Sequence, residues 1–258
     1  MLTDTRSFPK LLVRSLAGLA WAVGAACSSP STPLDELSQS LTTEHFVFHY
    51  SEGDHVDAAW QEAYHAWLLD RLGVQLSGRI DYYKYRDRAQ KLKLMGVDGN
   101  AIAMPELMQV HTIFPRDNHE TVHVLVNLLW GRAPALFGEG IAVAFQSDPV
   151  AGDTVPRWNT RPLDDIARDA WTAGTVPALD DLILNDSFRT YAEGLTYPLA
   201  GSFVHYLLEW RGVAPLRSFF EAFGAGDAGG VRDHFRAAYG EELDMVWDDW
   251  RAQLVSGL

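Results

Sequence analysis

The chain has 258 residues, is 47% hydrophobic, carries a formal net charge of −13 and contains a single cysteine. A chain of this length and apolar content can bury a substantial core. The negative charge argues against nucleic acid as a partner, because nucleic-acid affinity rests on clustered Lys and Arg, and one cysteine excludes an intramolecular disulfide scaffold.

Residues 1–26 are predicted to be a signal peptide and not part of the fold. A basic start precedes an apolar run, Leu16–Ala26, that is too short to span a bilayer and has the length of a signal-peptide core. Cys27 follows this run directly, and a Ser/Pro-rich stretch comes next. The arrangement resembles a bacterial lipoprotein processing site, although Gly24 stands where such signals usually carry a larger aliphatic residue.

The lipoprotein resemblance implies export across the inner membrane and a lipid anchor at Cys27. The protein is then expected in the bacterial cell envelope, in the periplasm or at the outer membrane. Residues 27–42 are predicted to be a lipidated, flexible tether and residues 43–258 a single domain. An ordinary cleaved signal with an incidental cysteine is the alternative. Later stretches are too short in apolar residues to span a bilayer, so the anchor is the expected membrane attachment.

Strands and helices alternate at the start of the predicted domain, and helices follow. Aromatic and β-branched runs predict strands, and apolar residues at helical spacing predict helices. Strands are predicted at 44–50, 78–85 and 109–114, and helices at 54–72, 86–95, 118–130, 135–146, 161–168, 199–210, 214–223, 231–239 and 243–254. This order predicts an α+β fold with a small N-terminal sheet and a mainly helical C-terminal part from about residue 150.

Residues 119–123 read His-Glu-Thr-Val-His and match the HExxH pattern. Positions four apart share one face of a helix, so His119 and His123 can converge on one metal ion at about 2.0–2.1 Å. Glu120 projects toward the open side of such an ion, where a carboxylate can take a proton from water. The apolar neighbours of the motif predict a buried helix, in which His and Glu without a partner are costly.

Glu139 is the candidate third ligand, because fifteen residues separate it from His123, enough for a helix end, a turn and a second helix. Its segment, Phe-Gly-Glu-Gly-Ile-Ala at 137–142, together with HExxH resembles the gluzincins, and more narrowly the peptidase MA-like family of bacterial secreted proteins. The resemblance covers roughly residues 44–212 and includes the strand at 45–50 and the segment 197–207.

The gluzincin resemblance implies a zincin-like catalytic domain that binds one Zn²⁺ through His119, His123 and Glu139, with Glu120 as general base. A tyrosine downstream of the glutamate ligand donates a hydrogen bond to the oxyanion in gluzincin aminopeptidases. That role points to Tyr197, which is expected just before the helix at 199–210, with Tyr191 in reserve.

The sequence departs from the thermolysin-like pattern at Val143, where those enzymes carry an aspartate that orients a zinc histidine. Another group must then orient the imidazoles, and Asn127, one helical turn beyond His123, is a candidate. In zincin folds an edge strand near the site binds extended substrate, and residues 109–114 are expected to fill that role by β-augmentation.

The predicted function is a zinc metallopeptidase that hydrolyses peptide or protein substrates in the cell envelope, and a monomer is assumed. Alternatives are a non-catalytic zincin-fold binding lipoprotein and a zinc hydrolase of a non-peptide amide. An intact Glu120 argues against a purely structural metal site. A buried salt bridge between Glu120 and Arg132 is the non-functional interpretation of that carboxylate.

The other histidines lack the spacing of metal ligands in the sequence. His111 is expected to be a packing or substrate-contact residue. Surface or hydrogen-bonded core positions are predicted for His45, His49, His55, His65, His205 and His234.

Overall fold

The computed structural model describes residues 36–223 and 230–256. The predicted signal peptide, Cys27 and the first part of the predicted tether lie outside these ranges. The last part of that tether is structured, because Gln39–Thr42 forms strand β1. All four of its residues are exposed at a sheet edge, so they lack the apolar alternation that reveals a strand in a sequence. The domain therefore begins before the predicted boundary at residue 43.

A five-stranded mixed sheet occupies the N-terminal part, in the order β1-β2-β3-β5-β4. The three central strands, β2 (Phe46–Tyr50), β3 (Ile80–Lys84) and β5 (Gln109–Thr112), are parallel. β1 and β4 (Ala101–Met104) pair antiparallel at the two edges. β4 was not predicted, since its four residues form too short a run to distinguish from a loop.

The predicted strand at 109–114 is not an edge strand. β5 lies between β3 and β4, and Val110 faces Tyr82 on one side and Ala103 on the other. Since both sides of β5 are hydrogen-bonded within the sheet, the prediction that it binds extended substrate is wrong. β4 holds the edge position instead.

Helices make up the rest of the described chain and confirm the predicted α+β class. They are α1 (Ala58–Leu72), α2 (Arg88–Met95), α3 (Asn118–Leu129), α4 (Ala135–Ala144), α5 (Leu163–Ala173), α6 (Leu179–Ile183), α7 (Asn185–Phe188), α8 (Glu193–Arg211), α9 (Val213–Glu221), α10 (Val231–Tyr239) and α11 (Leu243–Ser256). Single-turn 3₁₀ helices at Pro105–Leu107 and Pro149–Ala151 and a small hairpin of β6 (Arg157–Trp158) and β7 (Arg161–Pro162) complete the elements. None of the helices within these described residues is both long and apolar enough to cross a membrane.

Helix α8 begins earlier than predicted, at Glu193. Pro198 is therefore inside the helix and not in its first turn. A proline here removes the N–H that would reach the carbonyl of Gly194, a modest loss so close to the helix start. The earlier start places Tyr197 within α8, whereas the sequence predicted it just before a helix.

Two glycines let α4 and α8 pack at very short distance. A Cβ added to Gly140 of α4 would lie 2.7 Å from the carbonyl oxygen of Ala200, and one on Gly201 of α8 would lie 2.5 Å from the Val143 side chain. Real Cβ atoms do not approach other atoms so closely, so these positions require glycine in the observed packing. Val143, where thermolysin-like enzymes carry an aspartate, packs against Gly201 in this helix contact.

Candidate metal centre

Hydrogen bonds hold the start of α3, the helix that carries the HExxH residues. Asp117 is the N-cap, and its Oδ1 accepts a 2.9 Å hydrogen bond from the backbone amide of Glu120. Gln61 of α1 donates to the Thr121 hydroxyl at 2.8 Å and accepts from the Asp117 amide at 3.1 Å. Asp117 was not among the predicted site residues, although an aspartate three residues before a glutamate is a known helix-start signal.

The three predicted ligand atoms meet at one point between α3 and α4. The Nε2 atoms of His119 and His123 are 3.1 Å apart, and Oε2 of Glu139 lies 3.4 Å from the first and 3.2 Å from the second. Ligands at about 2.0–2.1 Å in a tetrahedral arrangement around one ion are separated by about 3.3 Å. The observed triangle therefore has the size that a single bound ion requires.

The chemistry of this triangle also suits a cation. Both imidazoles direct Nε2 at the same carboxylate oxygen. Burial alone would raise the pKa of Glu139, but hydrogen bonds from His119 and His123 outweigh burial and hold that pKa below its usual range. The ionised carboxylate and the two imidazoles offer one donor atom each, and these three atoms could hold a metal ion.

Glu120 lies beside these ligands and lines the same cleft. Burial by the surrounding protein, with the nearby Asp117 carboxylate, raises the pKa of Glu120 to about 8. A carboxyl group with a pKa near neutrality can both accept and release a proton under ordinary conditions. A divalent cation at the neighbouring site would favour its ionised form.

Tyr197 and Arg189 complete the wall of the site. The ring of Tyr197 stacks 6.1 Å from that of His119, and burial raises the pKa of its hydroxyl to about 12, so the hydroxyl stays protonated as a hydrogen-bond donor. Nη2 of Arg189 donates to Oε1 of Glu139 at 2.9 Å and leaves Oε2 to the imidazoles. Arg189 was not predicted as a site residue, because it follows the four-residue helix α7 and belongs to no motif.

Three alternatives that the sequence left open are not found among the described residues. The hydroxyl of Tyr191 donates to Asp181 at 2.8 Å, and Tyr191 is not among the cleft-lining residues. Asn127 lines the cleft but makes no hydrogen bond to His123 within the described chain. Arg132 pairs with Glu106 and not with Glu120.

The site opens into a cleft of about 720 Å³. The edge strand β4 forms one side of this cleft, and the loop before α4 and the residues after α7 form the other. Its lining residues are Ala101, Ile102, Ala103, Pro105, His119, Glu120, His123, Asn127, Arg132, Ala133, Pro134, Ala135, Gly138, Glu139, Asn185, Arg189 and Tyr197. Among the described strands β4 has one partner, β5, so an extended polymer could approach the ligand cluster along the other side of β4.

Two of the remaining histidines are buried: His111 is hydrogen-bonded and His65 is not. His111 is a packing residue, since it stacks on Tyr83 with centroids 4.5 Å apart and is hydrogen-bonded to the Tyr85 hydroxyl at 2.9 Å. His65 was predicted to be exposed or hydrogen-bonded, and that prediction is wrong. It is fully buried, and neither ring nitrogen has a hydrogen-bond partner in the described chain.

A scan against protein-family models returned no match for the chain, and a search of curated proteins returned none either.

Proposed function

We propose that the protein is a zinc-dependent metallopeptidase of the gluzincin type that cleaves peptide or protein substrates in the cell envelope. One observation carries the proposal: two imidazoles and a carboxylate converge within 3.1–3.4 Å of one another, with a second carboxylate, Glu120, beside them in an open cleft. The envelope location rests on the N-terminal sequence alone.

Zinc is the metal that best fits the donor set. Two imidazole nitrogens and one carboxylate oxygen form the ligand set of many catalytic zinc sites, and three protein ligands leave a fourth position open. When bound there, zinc acts as a Lewis acid and lowers the pKa of a coordinated water toward about 7. The remaining chemistry belongs to the side chains of the chain itself.

Glu120 acts as the proton carrier in the proposed reaction. Its carboxylate takes a proton from the water that attacks the scissile carbonyl carbon and then delivers it to the departing amide nitrogen. The Asp117 cap fixes the backbone of Glu120, which limits the directions its carboxylate can take. The proton balance closes, because one water is split between the new carboxyl group and the new amine.

Tyr197 stabilises the oxygen of the scissile carbonyl as it gains negative charge. Its hydroxyl remains protonated, since burial raises its pKa to about 12, and it can donate a hydrogen bond to that oxygen. Arg189 acts as a positioning residue by holding the outer oxygen of Glu139. It does not touch the substrate in this scheme.

The edge strand favours a peptide substrate over a non-peptide amide. Among the described strands β4 pairs only with β5, so its other side can pair with an extended peptide. Three of its residues line the cleft that contains the ligands. Backbone pairing along β4 would carry a scissile bond past Glu120.

Removal of the metal is expected to abolish hydrolysis of peptides by the purified protein. A library of internally quenched peptides, incubated with the protein before and after chelation, measures this. Activity should return on addition of excess Zn²⁺, because chelation removes the ion and leaves the side chains that bind it. Absence of peptide cleavage by the zinc-loaded protein would favour a binding role, and cleavage of cell-wall amides alone would favour the non-peptide alternative.

Arg189→Met is expected to weaken zinc binding at the catalytic site by about 10–100-fold, the usual effect of losing a group that orients a metal ligand. Without the guanidinium, the carboxylate of Glu139 is free to rotate away from the imidazoles. Competition with a chromophoric chelator measures the affinity. Arg217→Met is the matched control, since Arg217 pairs with Glu221 on the exposed face of α9. Unchanged zinc affinity in Arg189→Met would show that Arg189 does not orient Glu139.

A further inference from the structure

His65 lies in the core with unsatisfied ring nitrogens. Its exposed fraction is 0%, and within the described chain neither Nδ1 nor Nε2 has a hydrogen-bond partner. A buried polar group without a hydrogen-bond partner destabilises the fold, so such a residue calls for an explanation. The site described above does not use His65.

Two neighbouring side chains of this histidine, His45 and Glu62, are also metal-ligand types. Nδ1 of His45 lies 2.7 Å from Oε2 of Glu62, and the ring of His45 is 4.7 Å from that of His65. Ligand atoms of all three residues lie within 4.8 Å of one another. Glu62 and His65 are one turn apart on α1, and His45 belongs to the turn between β1 and β2.

We propose that His45, Glu62 and His65 form a second binding site for a divalent transition-metal ion of the zinc class. The donor set is again two imidazole nitrogens and a carboxylate oxygen, which suits zinc and neighbouring metals better than magnesium or calcium. The proposal concerns residues separate from the catalytic cluster and does not depend on the proposed peptidase activity.

The geometry allows an ion to enter with small movements. The side chains of His45 and Glu62 are 28% and 22% exposed, so an ion could reach the site from solvent. The 2.7 Å between His45 and Glu62 must widen to about 3.3 Å when both bind one ion. Rotation of these two partly exposed side chains provides that change, while His65 stays in place.

Packing alone does not account for His65. Its ring contacts the edge of Phe46 at 5.4 Å between centroids, a contact that an aromatic hydrocarbon would make equally well without burying unsatisfied nitrogens. Coordination would satisfy one of those nitrogens. The three residues also come from two separate elements, so coordination would join the start of β2 to α1.

The expected role of the second ion is to stabilise α1, which holds the start of α3, the helix that carries His119 and His123. Gln61, next to Glu62 on α1, is bonded to Asp117 and Thr121 at the start of α3. An ion held by α1 would therefore strengthen the element that anchors this start. It would act on stability and not on the chemical step.

Zinc stoichiometry tests the proposal directly. The purified metal-free protein, titrated with Zn²⁺ and measured by elemental analysis, should bind two ions per chain. The double variant His119→Gln/His123→Gln should retain one, and adding His45→Gln to it should reduce the count to zero. His55→Gln is the control for removal of an exposed histidine, and it should leave one ion bound in the same double-variant background.

Thermal unfolding gives a second measurement that does not rely on the His45 variant. In His119→Gln/His123→Gln, Zn²⁺ at about one hundred times its Kd should raise Tm by about 5–10 °C. Co²⁺ in the same variant should give visible absorption bands, and Glu62→Gln should change them. A double variant that binds no zinc and shows no Tm shift would overturn the proposal. So would a second ion that persists in both His45→Gln and Glu62→Gln.

Discussion

Glu120→Gln is expected to retain zinc at the catalytic site and to lose peptide hydrolysis by about 10²–10⁴-fold, the usual contribution of a general base. Glutamine keeps the volume of the side chain but cannot accept the proton of the attacking water. The buried Glu120 carboxylate also lowers the stability of the fold, because burial and the Asp117 carboxylate raise its pKa to about 8. The metal-free variant should therefore be at least as stable as the wild type.

Three measurements separate this expectation from a loss of structure: kcat/KM on a cleaved peptide, zinc content, and Tm of the metal-free protein. Glu221→Gln is the matched control, because Glu221 is an exposed glutamate paired with Arg217 on α9 at 2.7 Å. It should match the wild type in all three. Hydrolysis by Glu120→Gln at the wild-type rate would assign the base to another group. Loss of zinc would instead make Glu120 part of the metal site.

Gly140→Ala is expected to lower the free energy of unfolding by about 2–3 kcal/mol, in the range found for overpacked cores. The added methyl group would meet the carbonyl oxygen of Ala200 at 2.7 Å, and backbone cannot move aside as a side-chain rotamer can. The gain of about 1 kcal/mol in helix propensity does not offset this clash. For a domain of this size the loss corresponds to a Tm decrease of about 4–12 °C.

The same substitution should also reduce catalysis. Separation of α4 from α8 displaces Glu139 relative to Tyr197, and a displacement of about 1 Å in a catalytic site can cost about 10²-fold in rate. Thermal unfolding, zinc affinity and kcat/KM measure the effects together.

Gly194→Ala is the control for replacing a helical glycine. A Cβ on Gly194 has Trp158 Nε1 as its nearest neighbour, at 4.0 Å, so this variant should equal or slightly exceed the wild type in Tm. A Gly140→Ala protein with wild-type Tm and activity would show that α4 and α8 tolerate wider spacing and that their close packing is not required.

Secondary structure was predictable where the periodicity of apolar residues was strong. The three central strands and helices α1–α5 and α8–α11 follow from runs of buried residues that repeat at strand or helix spacing, whereas α6 and α7, of five and four residues, were missed because they are too short to show a period. The two edge strands were missed because β1 is entirely exposed and β4 has four half-buried residues, so neither shows alternation. The order of strands could not be predicted, since it depends on pairing between distant segments.

The amino-acid sequence by itself determined the imidazole pair and the carboxylate beside it. His119, Glu120 and His123 share one stretch of helix, and helical geometry alone sets which side chains share a face. Their local spacing was enough to predict that the two Nε2 atoms converge, and they lie 3.1 Å apart.

Only the tertiary structure decided which other groups reach the carboxylates of the two proposed metal sites, Glu139 and Glu62. Arg189 contacts Glu139 across 50 positions of the chain, and His45 contacts Glu62 across 17. The close packing of α4 on α8 and the pairing of β1 with β2 accompany these contacts. Such packing is a sum of many weak contacts between distant segments, so no pattern within a short stretch of sequence specifies it.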